Sequence, residues 1–108
     1  MSEKHQEIEV YMSRRFEKAL NKLTNKHLKI VEDEIDQIIA NPKIGRQKKG
    51  DIAYLRVHKF KIKSQQVLLG YSWFEDNLEI YLLHFGSHEN FYQKMKEQRK
   101  SDLTFMRS

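Results

Sequence analysis

His88, Phe91 and Tyr92 stand three and four residues apart in the stretch Leu78 to Lys96, LEIYLLHFGSHENFYQKMK, where an apolar run reaches Gly86 and a helical pattern begins. Residues at i, i+3 and i+4 share one face of a helix, so imidazole and phenol point the same way with the phenyl ring beside them. Gly86 and Ser87 suit the turn. Glycine accepts almost any backbone conformation, and a Ser hydroxyl at the N-cap can take an orphan helix N–H, with Asn90 standing where a capping box has Glu or Gln. The positive end of the helix dipole favours a neutral ring at His88, the form a general base needs. The plainer alternative is a polar residue at a helix start with two packing aromatics behind it. Spacing alone does not decide between them.

An imidazole moves a proton, but a phosphate beside it has to be held by cations. The chain carries 20 Lys and Arg against 15 Asp and Glu, a net charge of +5. Residues 41–63 hold 8 of the cations and 1 carboxylate, which is +7, while residues 1–40 and 64–108 each stand at −1. The excess therefore lies in the loop Pro42 to Asp51, PKIGRQKKGD, which includes Lys49, and in the following run Ile52 to Lys63, IAYLRVHKFKIK, which includes Arg56, His58, Lys59 and Lys61. Localised positive charge points to a polyanionic partner. A positive groove beside an imidazole suits an RNA phosphodiester: a base takes the 2′-hydroxyl proton, the 2′-oxygen attacks the adjacent phosphate, cations stabilise the phosphorane, and an acid protonates the leaving 5′-oxygen. This route calls for no metal and no cofactor, and each acid–base step contributes on the order of 10²–10⁴ in rate.

Blander readings stand beside these. Lys59, Lys61 and Lys63 are also what an edge strand uses to stay soluble, and Arg56 has Asp51 nearby in sequence. His84 shares the parity of Ile80 and Leu82 and reads as a buried, hydrogen-bonded core residue. His5 and His27 read as solvent-facing, and Tyr71 and Trp73 as core rather than base-stacking rings. Five His without Cys raise the question of zinc, but the one i, i+4 pair, His84 and His88, straddles Gly86 and so does not share a helix.

The elements that must position these residues follow from periodicity. At 108 residues the chain is expected to be one domain over 1–108, with a core from about 7 to 100 and a tail at 101–108. The lack of Cys excludes disulfides and thiol catalysis. No apolar run approaches the roughly 18 residues of a membrane span, and MSEKHQEIEV has no signal-peptide core, so the expected location is the cytoplasm with no membrane partner. Residues 1–6 read as frayed. Glu7 to Met12 alternates as a strand, Ser13 caps a helix to about Leu23, and Thr24 and Asn25 start a second helix that Asn41-Pro42 stops near Ala40. Strands follow at Ile52–Lys63, Val67–Phe74 and Leu78–Phe85, then a helix to about Lys100. Within the first of these, Leu55 and Val57 share one parity and Phe60 and Ile62 the other, which predicts a bulge near His58 and Lys59. The loop Pro42 to Asp51 is expected to be mobile. The order β-α-α-β-β-β-α gives an α+β fold: a small antiparallel sheet, an N-terminal helical hairpin on one face, a C-terminal helix, and the other face free for a ligand.

With this order in place, FEKALNKL, IIANPKIG, KKGDIAYLRVHKFKI, QVLLGY and GSHENFYQKMK together resemble the RelE/ParE superfamily of type II toxin–antitoxin toxins, over about residues 7–97. The resemblance implies a RelE-like fold and a toxin that either cleaves mRNA, often in the ribosomal A site, or poisons DNA gyrase. Either kind is held inactive by a cognate antitoxin. Gly86-x-His88-x-x-x-Tyr92 is similar to the ending of YafQ-type mRNA interferases. By that resemblance His88 is the general acid or base, Tyr92 supports it by stacking or hydrogen bonding with Phe91 beside it, and Arg56, Lys49, His58, Lys59 and Lys61 meet phosphates, Arg56 with a catalytic part. The chain lacks the multiple-arginine ending of RelE itself, which keeps a gyrase inhibitor and an inactive nucleic-acid-binding module as alternatives.

Overall fold

The computed structural model describes residues 7–107; the frayed terminus expected at 1–6, with His5, and the last residue lie outside the described residues. Strand β1 (Glu9–Met12) leads into helices α1 (Arg14–Asn21) and α2 (Asn25–Ala40). Both helices start as their sequences direct: Ser13 accepts the N–H of Phe16 at 3.1 Å, and Thr24 accepts that of His27 at 3.3 Å. A two-residue strand β2 (Arg46–Gln47) and a 3-10 turn at Gly50–Ile52 precede the meander of β3 (Arg56–Ile62), β4 (Gln65–Phe74) and β5 (Glu79–Ser87). Helices α3 (His88–Glu97) and α4 (Arg99–Arg107) complete the α+β fold. The sheet runs β1-β5-β4-β3-β2, with β1 parallel to β5 and every other pair antiparallel. No helix among the described residues is long and apolar enough to cross a membrane.

The sheet is buried on both faces. On one, Phe60, Leu69, Tyr71, Ile80 and Leu82 meet Phe16 of α1 and Val31 and Ile38 of α2. On the other, Val57, Leu68, Tyr81 and Leu83 meet Phe91 and Met95 of α3. The expectation of a free second face is overturned, because α3 and the residues expected as a tail cover it. Residues 99–107 form a helix whose Asp102, 1% exposed, takes a bidentate bond from Arg15 at 2.7 and 2.8 Å, and whose Phe105 packs edge-on against Tyr81 at 5.4 Å.

Two-sided burial also corrects the bulge. The β3–β4 register is unbroken from Arg56↔Tyr71 to Ile62↔Gln65. Val57 and Phe60 differ in parity because each fills a different core, not because the strand is kinked. The irregularity lies one strand further on, where Gly70 pairs with His84 but Tyr71 with Leu82. Leu83 is the extra residue. Ser13 secures the spot, its N–H donating to the Leu82 carbonyl at 2.9 Å and its hydroxyl to that of Leu83 at 2.8 Å.

Helix α3 settles onto the sheet where a side chain is missing. A Cβ on Gly70 would stand 2.8 Å from Phe91 Cζ and 2.9 Å from Leu55 Cδ1, so Phe91 occupies the space above that glycine. Gly70→Ala is therefore expected to lower unfolding stability by about 1–3 kcal/mol through overpacking, as read from urea titrations of variant and parent. Equal midpoints and slopes would show that Phe91 does not rest there.

Candidate functional site

Helix α3 begins where β5 ends, so its first turn overhangs the end of the sheet and His88 is exposed there. Ser87 has the extended N-cap backbone, yet its hydroxyl makes no capping bond, unlike Ser13 and Thr24. The His88 ring stands edge-on to Tyr92 at 5.9 Å, and Tyr92 stands edge-on to Phe91 at 5.1 Å. Phe91 is only 1% exposed and serves as the helix's anchor; Tyr92 is half-buried. The ammonium of Lys48 lies 5.2 Å from the Tyr92 ring centroid, a cation–π contact that steadies the ring between Lys48 and His88.

The sheet register divides the cations between faces. Lys59 pairs with Leu68, which is in the α3-side core, so Lys59 and, two residues on, Lys61 project on the α3 side, where both are exposed. Arg46, paired with Val57, projects on that side too. Arg56 and His58 point the other way. Arg56 donates to the carbonyls of Gly45 at 2.8 Å and Lys43 at 3.4 Å, while Tyr71 on the same face donates to Pro42 O at 2.7 Å and accepts the Gly45 N–H at 2.9 Å. Together they pin the loop expected to be mobile. His58 is 8% exposed and bonds Glu34 of α2 at 2.7 Å, so its ring is engaged with the helical hairpin. Lys49 is exposed at the start of the 3-10 turn, and its neighbour Lys48, not singled out in the sequence, is the one that reaches Tyr92. The structure thus joins His88, Tyr92 and Lys48 by direct contacts, places Lys59 and Lys61 on the same side of the sheet, and leaves Arg56 and His58 on the other.

A further residue joins the first group. The irregularity at Leu83 puts both Leu83 and His84 on the α3 side, against the parity that groups His84 with Ile80 and Leu82. The His84 ring is tilted against Phe91 at 5.6 Å and half-buried, and among the described residues no hydrogen bond engages it. Burial, aided by the positive charges of Arg15 and Lys94, pushes its pKa down to about 4. Only the unpaired Leu83 could have announced this, and an unpaired residue is invisible before the strands are aligned. Among the described residues no cluster of three His, Asp or Glu side chains could hold a metal ion.

Residues 10–96 match the family model of the ParE-like toxin of type II bacterial toxin–antitoxin systems. No curated protein matches the sequence significantly. Among solved structures, E. coli RelE in the intact RelBE toxin–antitoxin complex superposes with a TM-score of 0.61 at 17% identity, covering 76% of this chain and 98% of that one. Isolated E. coli RelE in its P21 form gives 0.59 at 16%, covering 83% and 97%. A RelE mutant in complex with an antitoxin RelBc peptide gives 0.60 at 15%, covering 86% and 94%. At such identities the likeness is one of fold.

The His84 environment has a measurable consequence. An unfolded chain, with imidazole near pKa 6.5, takes up a proton that the folded protein refuses until about pH 4. Stability from this source therefore rises as pH climbs from about 4 to about 6.5 and is level above. His84→Gln should remove that portion of the rise, read as the parent-minus-variant difference in urea unfolding at several pH values. A difference that does not change over this window would mean the ring is not desolvated.

Proposed function

Because the chain belongs to the ParE-like toxin family of type II bacterial toxin–antitoxin systems, we propose that it is a toxin that cleaves mRNA without a metal ion, inhibits translation and growth, and is held inactive by a cognate antitoxin. One observation carries the catalytic half of this reading: an exposed imidazole, His88, stands at the start of α3 on the sheet side that also presents Lys48, Lys59 and Lys61. A backbone phosphate between them has cations for the phosphorane charge and a group for proton transfer, and attack by the 2′-hydroxyl supplies the nucleophile from the substrate itself. Tyr92, steadied by Lys48, serves as the adjoining surface for a base or a hydrogen bond. Arg56 acts indirectly by holding the Pro42–Gln47 loop that leads to Lys48. The antitoxin half draws on the RelE structures, two of which contain an antitoxin chain or peptide.

A second reading, a toxin directed at DNA gyrase, draws on the ParE-like description of the matching family. The two separate cleanly in one set of assays. Purified parent protein is expected to cut RNA, free or on ribosomes, and to leave gyrase supercoiling unchanged. His88→Ala should lose about 10²–10⁴ in cleavage rate while still binding RNA. Lys59→Glu with Lys61→Glu should weaken binding and flatten its salt dependence by about 0.7 in slope for each phosphate no longer neutralised. Inhibited supercoiling with intact RNA would replace the first reading by the second.

A further inference from the structure

Four rings line the junction of β5 and α3: His84 against Phe91 at 5.6 Å, Phe91 against Tyr92 at 5.1 Å, and Tyr92 against His88 at 5.9 Å. The two imidazoles are four residues apart in the chain, with Gly86 between them. A Cβ built on Gly86 would lie 3.7 Å from His84 Nε2. That nitrogen therefore reaches along the α3 side of the sheet toward the end of β5, over the bare glycine that precedes Ser87 and the first turn of α3. Gly86 pairs with Leu68 and Leu68 with Lys59, so the cross-strand row that the nitrogen reaches carries an exposed lysine two strands away. A core histidine would have a ring nitrogen bonded, as His58 Nε2 is to Glu34. Among the described residues His84 has no such partner, and a strand irregularity has turned it to this side.

We propose that His84 and His88 are the two proton-transfer groups of one ribonuclease site, His84 as the general base and His88 as the general acid. This rests on the ribonuclease reading above and assigns the roles within it. The 2′-hydroxyl gives its proton to His84 Nε2, the 2′-oxygen forms its bond to phosphorus, the bond from phosphorus to the 5′-oxygen breaks, and that oxygen takes a proton from His88. The products are a 2′,3′-cyclic phosphate and a 5′-hydroxyl. Water then carries the proton from His84 back to His88, and the site is restored. The division of labour follows from surroundings. His84 faces Arg15 from α1 and Lys94 from α3, and with burial these keep it unprotonated and ready to accept. His88 is exposed to solvent at the start of α3, where it can exchange protons with water between turnovers. In the complex the phosphate charge draws the His84 pKa upward, which strengthens it as a base.

The test uses the full chain and the RNA linkage that the parent cuts, synthesised both normally and with sulfur in place of the bridging 5′-oxygen. Sulfur leaves as a thiolate without needing an acid. His84→Gln and His88→Ala are each expected to lose about 10²–10⁴ in kcat on the normal linkage, with unchanged affinity for RNA carrying a 2′-deoxy nucleotide at the cut site. On the sulfur linkage His88→Ala should recover to within a few-fold of the parent, whereas His84→Gln should not. The kcat/KM profile of the parent, which needs no variant to fold, should show its acid limb near pH 4, where the free His84 titrates. Full activity of His84→Gln on the normal linkage overturns the pairing and leaves the ribonuclease reading intact. Recovery of His84→Gln by sulfur reverses the roles and overturns the assignment. A parent that leaves RNA whole removes both.

Discussion

A sheet buried on both faces has no room for unpartnered charged side chains along its centre, and that constraint governs where chemistry can occur in this protein. From Leu68 to Ser72 in β4 and from Ile80 to Leu83 in β5 every residue is buried. Charged groups are left with the strand ends and the outer strands. His88 stands just past the end of β5, Lys59 and Lys61 on the part of β3 that the two-residue strand β2 does not cover, and Arg46 on β2 itself. The helix that closes the second face brings its own phenol and imidazole with it. A residue as large as Phe91 fits beneath α3 only because Gly70 offers no side chain, so a single glycine sets how closely the helix start approaches the basic strand.

The parallel strand β1 connects this arrangement to the helical hairpin. Ser13 ends β1 and begins α1; its hydroxyl accepts the first-turn N–H of Phe16 and donates to the Leu83 carbonyl, while its own N–H donates to Leu82. One buried residue thus caps a helix and satisfies the carbonyls of the irregular part of β5. Two residues further, Arg15 crosses to Asp102 of α4. An ion pair with a carboxylate this buried contributes more to fixing which elements meet than to net stability, since the desolvation of both charges offsets most of their attraction. The position of His84 is accordingly set from both ends of the chain.

Local rules made much of this legible from the sequence, and the failures share one cause. The caps at Ser13 and Thr24 and the stop at Pro42 are nearest-neighbour effects and stand where capping puts them; the three-strand meander is present too, but its first strand begins at Arg56 rather than Ile52, which lies in the 3-10 turn. Parity arguments assume one buried face. In β3 both faces are buried, so Val57 and Phe60 imitated a bulge; in β5 a real irregularity left the apolar pattern of Ile80 to Leu83 intact and passed unnoticed. Charge counting failed in a similar way, because a segment total has no sides. The +7 of residues 41–63 is shared between faces, with Arg56 turned to loop carbonyls and Lys48, Lys59 and Lys61 to the α3 side. The tail gave too short a pattern to read as α4, whose Asp102 is fixed by a partner 87 residues away.

Among the described residues, Lys43 alone of those eight cations forms an ion pair, at 3.4 Å with Glu75. Of the others, Arg56 is held by loop carbonyls and Lys48 lies over the Tyr92 ring. Unneutralised charges of one sign repel, and this repulsion is an energetic burden that the fold carries in the free state. A polyanion that settles among them relieves it, so part of the favourable free energy of binding is the release of stress already present. Burial, with the charges of Arg15 and Lys94, keeps His84 neutral; a bound anion would act in the opposite sense, its negative charge favouring the protonated ring. A basic surface beside two imidazoles is thus an arrangement in which the charge of a bound anion would change the proton affinity of the groups around it.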